Sequence, residues 1–427
     1  MKYFLTACLQ FFFFGILPLA AEILRDASGK PVRYAGKFNS SQVVLKNFRP
    51  ARNEFRAVWV AVVENIDFPA HRSAYSFQRD FRIMADNLKS AGFNAVIFQI
   101  RANCDAFYPT SLAPWSRWLT GKEGANLGKF DPLRFMIEET HKRGMEFHAW
   151  FNPYRVTGNT RLAKSAYLKT LAPNNFARKH PQWVLVKKNP SGNQLFLDPG
   201  VPQVVAHLAA VVADVVRRYP VDAIHFDDYF YPYEKLGNED LPTYRANNPR
   251  RLSLEEWRRS NTDSLIFRVK QTITRINRTQ KRNVRFGVSP FGIWANRQSH
   301  ALGSLTGGKE SLNTLFADTR KWVKNGYIDY IIPQIYWSFD HDAAAYAALA
   351  DWWRNTVKNT PVKLYIGIGA YNGKKWQKNE LINQVRYNRM YPEISGAAFF
   401  SYRSFFGRES NPAAARLLRF FKPWSGK

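Results

Sequence analysis

The chain has 427 residues, 45% of them hydrophobic and 22% charged, a balance that excludes a disordered polypeptide and leaves room for one large domain or two ordinary ones. A formal net charge of +29 predicts an anionic partner: nucleic acid, a membrane surface or an acidic polymer. The plain alternative is a solvated basic surface with no dedicated partner.

The first 21 residues read as an export signal. "MKYFLTACLQFFFFGILPLAAE" places Lys2 before an apolar core from Phe11 to Leu19, followed by the small residues Ala20 and Ala21. The apolar run is too short to span a membrane. "LTAC" resembles a lipoprotein cleavage box, but Cys8 precedes the apolar core. Ordinary cleavage near Ala21 and a periplasmic location are therefore expected, with a membrane anchor on Cys8 as the alternative. Cleavage leaves Cys104 alone, so no intramolecular disulfide is expected.

A polar lead-in over residues 22–53 precedes a repeating unit that fills residues 54–427. Eight short apolar runs recur: "FRAVWVAVV" (55–63), "NAVIFQIR" (94–101), "MEFHAWF" (145–151), "VDAIHF" (221–226), "VRFGVS" (284–289), "IDYIIPQIYW" (328–337), "VKLYIGIG" (362–369) and "GAAFFSY" (396–402). Helical patterns separate them, such as "SFQRDFRIMADNLKSAG", "DPLRFMIEETHKRG" and "VPQVVAHLAAVVADVVRRY". Several segments stop at Gly or Asn-Gly, as a helix end does. Strand–helix units repeated in this way predict a (β/α)8 TIM barrel. An open doubly wound sheet is the runner-up, but no Gly-rich phosphate fingerprint follows the first run. The loops expected at the strand C-termini are long after strands three (152–200), four (229–252) and five (290–310), the end where barrels carry chemistry.

Alternate residues of a strand face opposite ways, so each tip can be sorted by parity. Strand two sends Gln99, Arg101 and Asn103 inward, strand three His148, Trp150 and Asn152, and strand four Ala223, His225 and Asp227; on strand six Gln334 shares a face with Tyr336. A plain core has no use for such a polar layer, because each buried polar group needs a partner. Asp227, in "HFDDYFYP", is the better-placed carboxylate, and Asp228 has the opposite parity. Further carboxylates follow strand one (Glu64, Asp67) and strand two (Asp105). Glycoside cleavage uses two carboxyl groups, one to give a proton and one to act as nucleophile or base. Asp105 with Asp227 is the expected pair, with Asp228 as substitute. The other reading of each is a salt bridge or loop anchor.

Aromatic residues crowd the same end: Trp150, Tyr154, Tyr229, Phe230, Tyr231, Trp294, Tyr336, Trp337 and Tyr371. Flat apolar faces with polar edges suit sugar rings, although core packing is the commoner role of any single one. His148 and His225 are candidate substrate contacts. The spacings His-x-His and His-Glu-x-x-His and a Cys pair are all missing, so neither metal nor cofactor is expected, and Cys104 reads as inert.

The blocks "RAVWVAVVENIDFP", "FQIRANCDAFYPTSLAPWSRWLTG", "FDPLRFMIEETHKRGMEFHAWFNPYRV", "FLDPG", "RYPVDAIHFDDYFYP", "FGVSPFGIWANR", "DYIIPQIYW", "LYIGIGAY" and "PEISGAAFF" resemble the bacterial glycosyl-hydrolase-like family ten, which is distinct from the xylanases. The resemblance runs in order from Arg56 to Phe400 and is strongest to the division-associated type that acts on peptidoglycan strands stripped of their stem peptides. It implies a (β/α)8 hydrolase of the cell envelope, with division-machinery or envelope proteins as partners; a monomer is expected. A stripped strand carries a lactyl carboxylate on every second sugar, a polyanion for which a basic protein has affinity. Arg101, Arg155, Arg297 and Arg403 are candidates to pair with those carboxylates. The pair of carboxylates can act directly, or as acid and orienter while the substrate's acetamido group is the nucleophile.

Two other classes remain open from sequence. A non-catalytic glycan-binding envelope protein would keep the aromatics and arginines without needing Asp227, and a metal-dependent deacetylase or amidase would be sensitive to chelators. Nucleic-acid binding suits the charge, but the export signal and the lack of a binding motif argue against it.

Overall fold

The computed structural model describes residues 21–190, 192–407 and 409–422, and residues 1–20 of the expected export signal lie outside them. Eight parallel strands close into a barrel: β1 (Phe55–Val60), β2 (Ala95–Arg101), β3 (Glu146–Phe151), β4 (Ala223–Phe226), β5 (Arg285–Val288), β6 (Tyr330–Ile331), β7 (Lys363–Gly369) and β8 (Ile394–Phe400). They pair in chain order, and β8 closes the ring on β1, with Gly396 opposite Phe55. Each of the eight sequence runs thus falls on a strand, although β8 begins at Ile394, two residues before its run. The sixth is the exception in length, because Pro333 has no N–H to offer a ladder and regular pairing ends at Ile331.

An outer ring covers this barrel: α1 (Ala74–Ser90), α2 (Pro132–Lys142), α3 (Pro202–Arg218), α4 (Leu254–Gln280), α5 (Thr319–Lys324), α6 (Tyr346–Val357), α7 (Glu380–Arg389) and α8 (Pro412–Phe421). Ser73 caps α1 and Asp131 caps α2, each accepting a first-turn N–H. Gly92, Gly144 and Gly326 follow α1, α2 and α5 with φ of 84°, 64° and 64°, the left-handed turn anticipated at these stops. One face of α3 buries Val204, Leu208, Val211, Val212, Val215 and Val216 against the barrel. Each such side chain contributes about 1.5–3 kcal/mol relative to an exposed one.

The interior of the barrel is part apolar and part polar. Ala57, Trp59, Ala95, Ile97, Ala223, Ile332 and Ala398 fill it with a cluster of their own. A polar column threads between them, buried at His148, Tyr330 and His225 and partly open to solvent at Glu146 and Arg285. Arg285 grips Glu146 at 2.5 Å, Glu146 receives His148 Nε2–H at 3.0 Å, and the Tyr330 hydroxyl lies 2.9 Å from His148 Nδ1 and 3.1 Å from His225 Nδ1. The Trp59 indole N–H, which can only donate, points at His225 Nε2 from 3.3 Å. The proton of His225 therefore sits on Nδ1 and is given to the Tyr330 oxygen, which gives its own to His148. Burial holds both imidazoles below their ordinary pKa, hence neutral. Gly287 makes room for this: a Cβ there would meet the Tyr330 ring at 2.1 Å.

Removing the Tyr330 hydroxyl unpairs the facing nitrogens of both histidines. Tyr330→Phe is expected to cost about 1–3 kcal/mol for each group left unpaired. A lowered urea midpoint with unchanged slope is the measurement that checks it.

Candidate active site

At the C-terminal end of the strands a cavity of about 260 Å³ opens, lined by tips of β1 to β8 and the loops that follow them. Trp59 and Ala61 form the β1 wall, Gln99 that of β2, Trp150 and Arg155 that of β3, Asp227 and Asp228 that of β4, Ser289 that of β5, Gln334 and Tyr336 that of β6, Tyr371 that of β7, and Phe400 that of β8. Tyr233, from the loop after β4, completes the aromatic side.

Asp227 is the most heavily held group there. Its Oδ2 accepts the Trp150 indole N–H at 3.1 Å and the Asn152 amide at 2.8 Å, with an Arg155 guanidinium nitrogen 3.9 Å away. Its Oδ1 accepts the Tyr229 backbone N–H at 3.3 Å. Strand alternation produces this arrangement, since Trp150 and Asn152 lie two apart on β3 and its extension, facing Asp227 at the tip of β4. Arg155 in turn lies 5.0 Å over the Tyr229 ring.

Asp228 also lines the cavity, despite its parity. Regular strand geometry ends at Phe226, so alternation no longer governs its direction. It receives one donor, the Tyr233 hydroxyl at 2.8 Å. Burial and the neighbouring Asp227 charge push it up to about 7. Burial raises Asp227 as well, while Arg155 and the three hydrogen bonds oppose the rise. The environments are therefore unequal: three hydrogen bonds favour the ionised form of Asp227 and one that of Asp228, so of the two Asp228 holds a proton more readily. Such a split gives a carboxylic acid and a carboxylate side by side at neutral pH, a combination suited to protonating a leaving group while holding a developing positive charge or an N–H.

The other sequence candidates divide cleanly. Gln334, Tyr336 and Tyr371 stand in the wall, with Gln334 Nε2 bonded to the Ser289 carbonyl at 2.8 Å. Asn152 and Tyr229 act through Asp227. His148 and His225 belong to the polar column beneath the cavity, with His225 touching its floor through Ser289 at 2.9 Å. Asp105 must be corrected. Its Oδ1 accepts the N–H groups of Ala102 and Asn103, both at 2.9 Å, and its Oδ2 the Ser116 hydroxyl at 2.6 Å, so it ties its own loop and takes no part in the cavity wall. Arg101 is corrected for a related reason. A bulge between Gln99 and Arg101 breaks the alternation, and the side chain is fully buried beside the Asp105 carbonyl. Tyr154 is buried in the outer core, Trp294 binds Asp318 at 3.0 Å and stacks on Trp352, and Trp337 packs on the outer cluster, so none of these three reaches the wall. Arg297 bonds to the Gly303 carbonyl and Arg403 pairs with Glu409 at 3.2 Å. Asp67 is a loop anchor, accepting from Ala61, Ser401 and Arg403.

Sequence reasoning passed over Trp59, Ser289, Tyr233 and Phe400, and counted Gln99 inward without giving it a role. Trp59 hides inside an apolar run, yet it shares parity with Ala57 and Ala61, which was the available signal. Gln99 Oε1 accepts from Val62 and Val63 at 3.1 and 3.0 Å, while its buried Nε2 finds no acceptor among the described residues. A donor fixed in that way suits a carbonyl or hydroxyl oxygen of a ligand. Among the described residues no group of three or more His, Cys, Asp or Glu converges as a metal site.

The Tyr233 bond favours the ionised form of Asp228, so its removal raises the carboxyl's affinity for protons. Carbon-13 carboxyl shifts are expected to show Asp228 titrating at about 7 in the wild type and at higher pH in Tyr233→Phe; a downward move contradicts the assignment.

The sequence matches the family described as Glycosyl hydrolase-like 10 over residues 54–404. It is 43% identical over 380 residues to the protein named glycosyl hydrolase YngK of Bacillus subtilis (strain 168), covering 86% of this chain and 72% of that protein. It is 42% identical over 371 residues to glycosyl hydrolase DigH of Escherichia coli (strain K12), covering 81% and 82%. The catalytic domain of a β-amylase from Paenibacillus polymyxa superposes with a TM-score of 0.55 at 11% identity, covering 89% of this chain and 100% of that one, a likeness in the barrel fold. Eight strands closed in order, a carboxyl pair at their C-terminal mouth and these matches lead to one statement: the chain is a member of the glycosyl hydrolase-like 10 family.

Proposed function

We propose that the protein is a glycosidase that cuts peptidoglycan glycan strands freed of their stem peptides, outside the cytoplasm, with Asp228 as the proton donor. The observation that carries this reading is the split between Asp227 and Asp228 inside one small, aromatic-walled cavity. Trp59, Trp150, Tyr233, Tyr336 and Phe400 line it with aromatic rings, surfaces that suit a sugar, and an Arg155 guanidinium nitrogen lies 3.9 Å from Asp227. The net charge of +29 favours a substrate that repeats a carboxylate along its length.

The aspartates also bear on mechanism. A direct displacement uses carboxyl groups on opposite faces of the bond. Among the described residues of the wall, only Asp227 and Asp228 carry carboxylates, and both belong to its β4 side. That favours the substrate-assisted course. Asp228 gives its proton to the glycosidic oxygen as the C1–O bond breaks. The acetamido oxygen of the same sugar closes on C1, and anionic Asp227 accepts the hydrogen bond of the acetamido N–H as that group gains positive charge. Water then opens the ring, returning a proton to Asp228.

Amidase-stripped strands incubated with wild type, Asp227→Asn and Asp228→Asn, with products read by mass spectrometry, test this. Wild type is expected to release short reducing saccharides with or without EDTA, and each variant to lose at least about a hundredfold in rate. Strands stripped of their N-acetyl groups are expected to resist cleavage. Tight binding without new chain ends would leave a glycan-binding barrel, and chelator-sensitive loss of acetyl groups a deacetylase.

A further inference from the structure

The cavity at the barrel mouth does not end at Arg155. Val63 and Arg155 are common walls with a second cavity of about 280 Å³, which Asn103, Arg117, Trp118 and Tyr167 also line. Arg117 is in turn a common wall with a third, of about 770 Å³, bordered by Lys122, Lys169 and Arg178. The three spaces therefore abut in a row over the loops that follow β2 and β3.

Their chemistry changes along the row. The second has a ring platform: the Trp118 indole is fixed by its N–H bond to Asn103 at 3.1 Å and keeps part of its surface open. It also has two guanidinium groups, Arg155 and Arg117, against one exposed carboxylate, Glu64. In the third, Glu123 is the one acid of the wall, and its oxygens are already taken by Arg117 at 3.2 Å, Asn175 at 2.8 Å and the Ala172 N–H at 3.2 Å. Lys122 and Lys169 stand exposed, with no acidic partner among the described residues. Arg178 is anchored to the Leu171 carbonyl.

We propose that these cavities form one binding track for a polyanionic glycan, continuous with the catalytic pocket, in which Trp118 stacks a sugar ring and Arg117, Lys122, Lys169 and Arg178 meet successive carboxylates. The proposal rests on the glycan-strand reading of the pocket and adds its direction: the strand is gripped along the side built by the β2 and β3 loops. Guanidinium groups nearest the pocket give oriented, bidentate contacts, while the outer lysines hold by charge alone.

The test uses the full mature chain carrying Asp228→Asn, so that ligand is not consumed. Stripped peptidoglycan oligosaccharides short enough to fill the pocket alone, and others long enough to reach the third cavity, are titrated by calorimetry. Uncharged chitin oligosaccharides of the longer length serve as comparison. The longer anionic ligand is expected to bind at least about tenfold more tightly than the shorter, a margin that Lys122→Glu with Lys169→Glu reduces to about twofold and that rising salt erodes. Both lysines are exposed, so the double variant retains its fold, checked by its unfolding midpoint. A length margin that survives the double reversal, or that chitin reproduces, overturns the track alone. Failure of either anionic length to bind overturns the substrate reading and the track with it.

Discussion

A closed barrel of eight strands has an inside that water does not enter, so any polar side chain aimed there must find its partner within the barrel. This chain aims several. His148, Tyr330 and His225 answer the constraint as a single chain of donors and acceptors, begun by the part-exposed pair Glu146 and Arg285 at one end and finished by Trp59 and Ser289 at the other. Much else follows from it. Gly287 has no side chain because Tyr330 occupies that space. Trp59 is held by its indole nitrogen, which fixes one wall of the cavity above. The floor of the cavity is thus the upper end of a structural network, and the position of its β1 wall is set by bonds made deep in the barrel.

Above that floor the logic reverses. Asp227 is surrounded by donors, whereas Asp228 has one hydroxyl and a like charge beside it. Two identical carboxyl groups, adjacent in the chain, are made chemically different by the third strand and its extension, which aim Trp150 and Asn152 at only one of them. Keeping a proton on the other runs against the ordinary preference of an aspartate and costs folding energy. Such opposition between stability and chemistry is typical of reactive sites.

Eight strands, the inward layer and the mouth were all legible in the sequence, because periodicity of two survives as long as a strand is regular. Trp150, Asn152, Asp227 and Gln334 came from that count alone. The failures sit where regularity stops. Arg101 was sent inward by parity, but a bulge between it and Gln99 rotates it into the surrounding core. Asp105 was chosen as an acidic residue beyond a strand tip, yet its loop folds back so that Asp105 satisfies three donors of its own. Trp294 and Trp337 show the limit of counting aromatics after strands, since position in the chain does not say which way a ring turns. The loop after β2, which supplies Arg117 and Trp118, runs from Ala102 to the Asp131 cap of α2 and was not reckoned among the long ones. Trp59 was missed for the opposite reason: an apolar residue in an apolar run carries no mark of function until its neighbours are known.

Residues 22–53 lie beside the barrel rather than ahead of it. Their short ladder, Glu22–Ile23 against Val44–Leu45, sets Leu24, Val32, Val43 and Leu45 into the main core. Tyr34 reaches Asp351 on α6 at 2.8 Å, and Arg386 on α7 holds both Glu22 and Asn47, each at 2.8 Å. These partners are more than three hundred positions away in the chain. β1, likewise, waits for β8 to complete its pairing. Residues 22–53 therefore precede most of the barrel in the chain yet are among the last able to settle, because the α6 and α7 side chains that hold them come more than three hundred positions later.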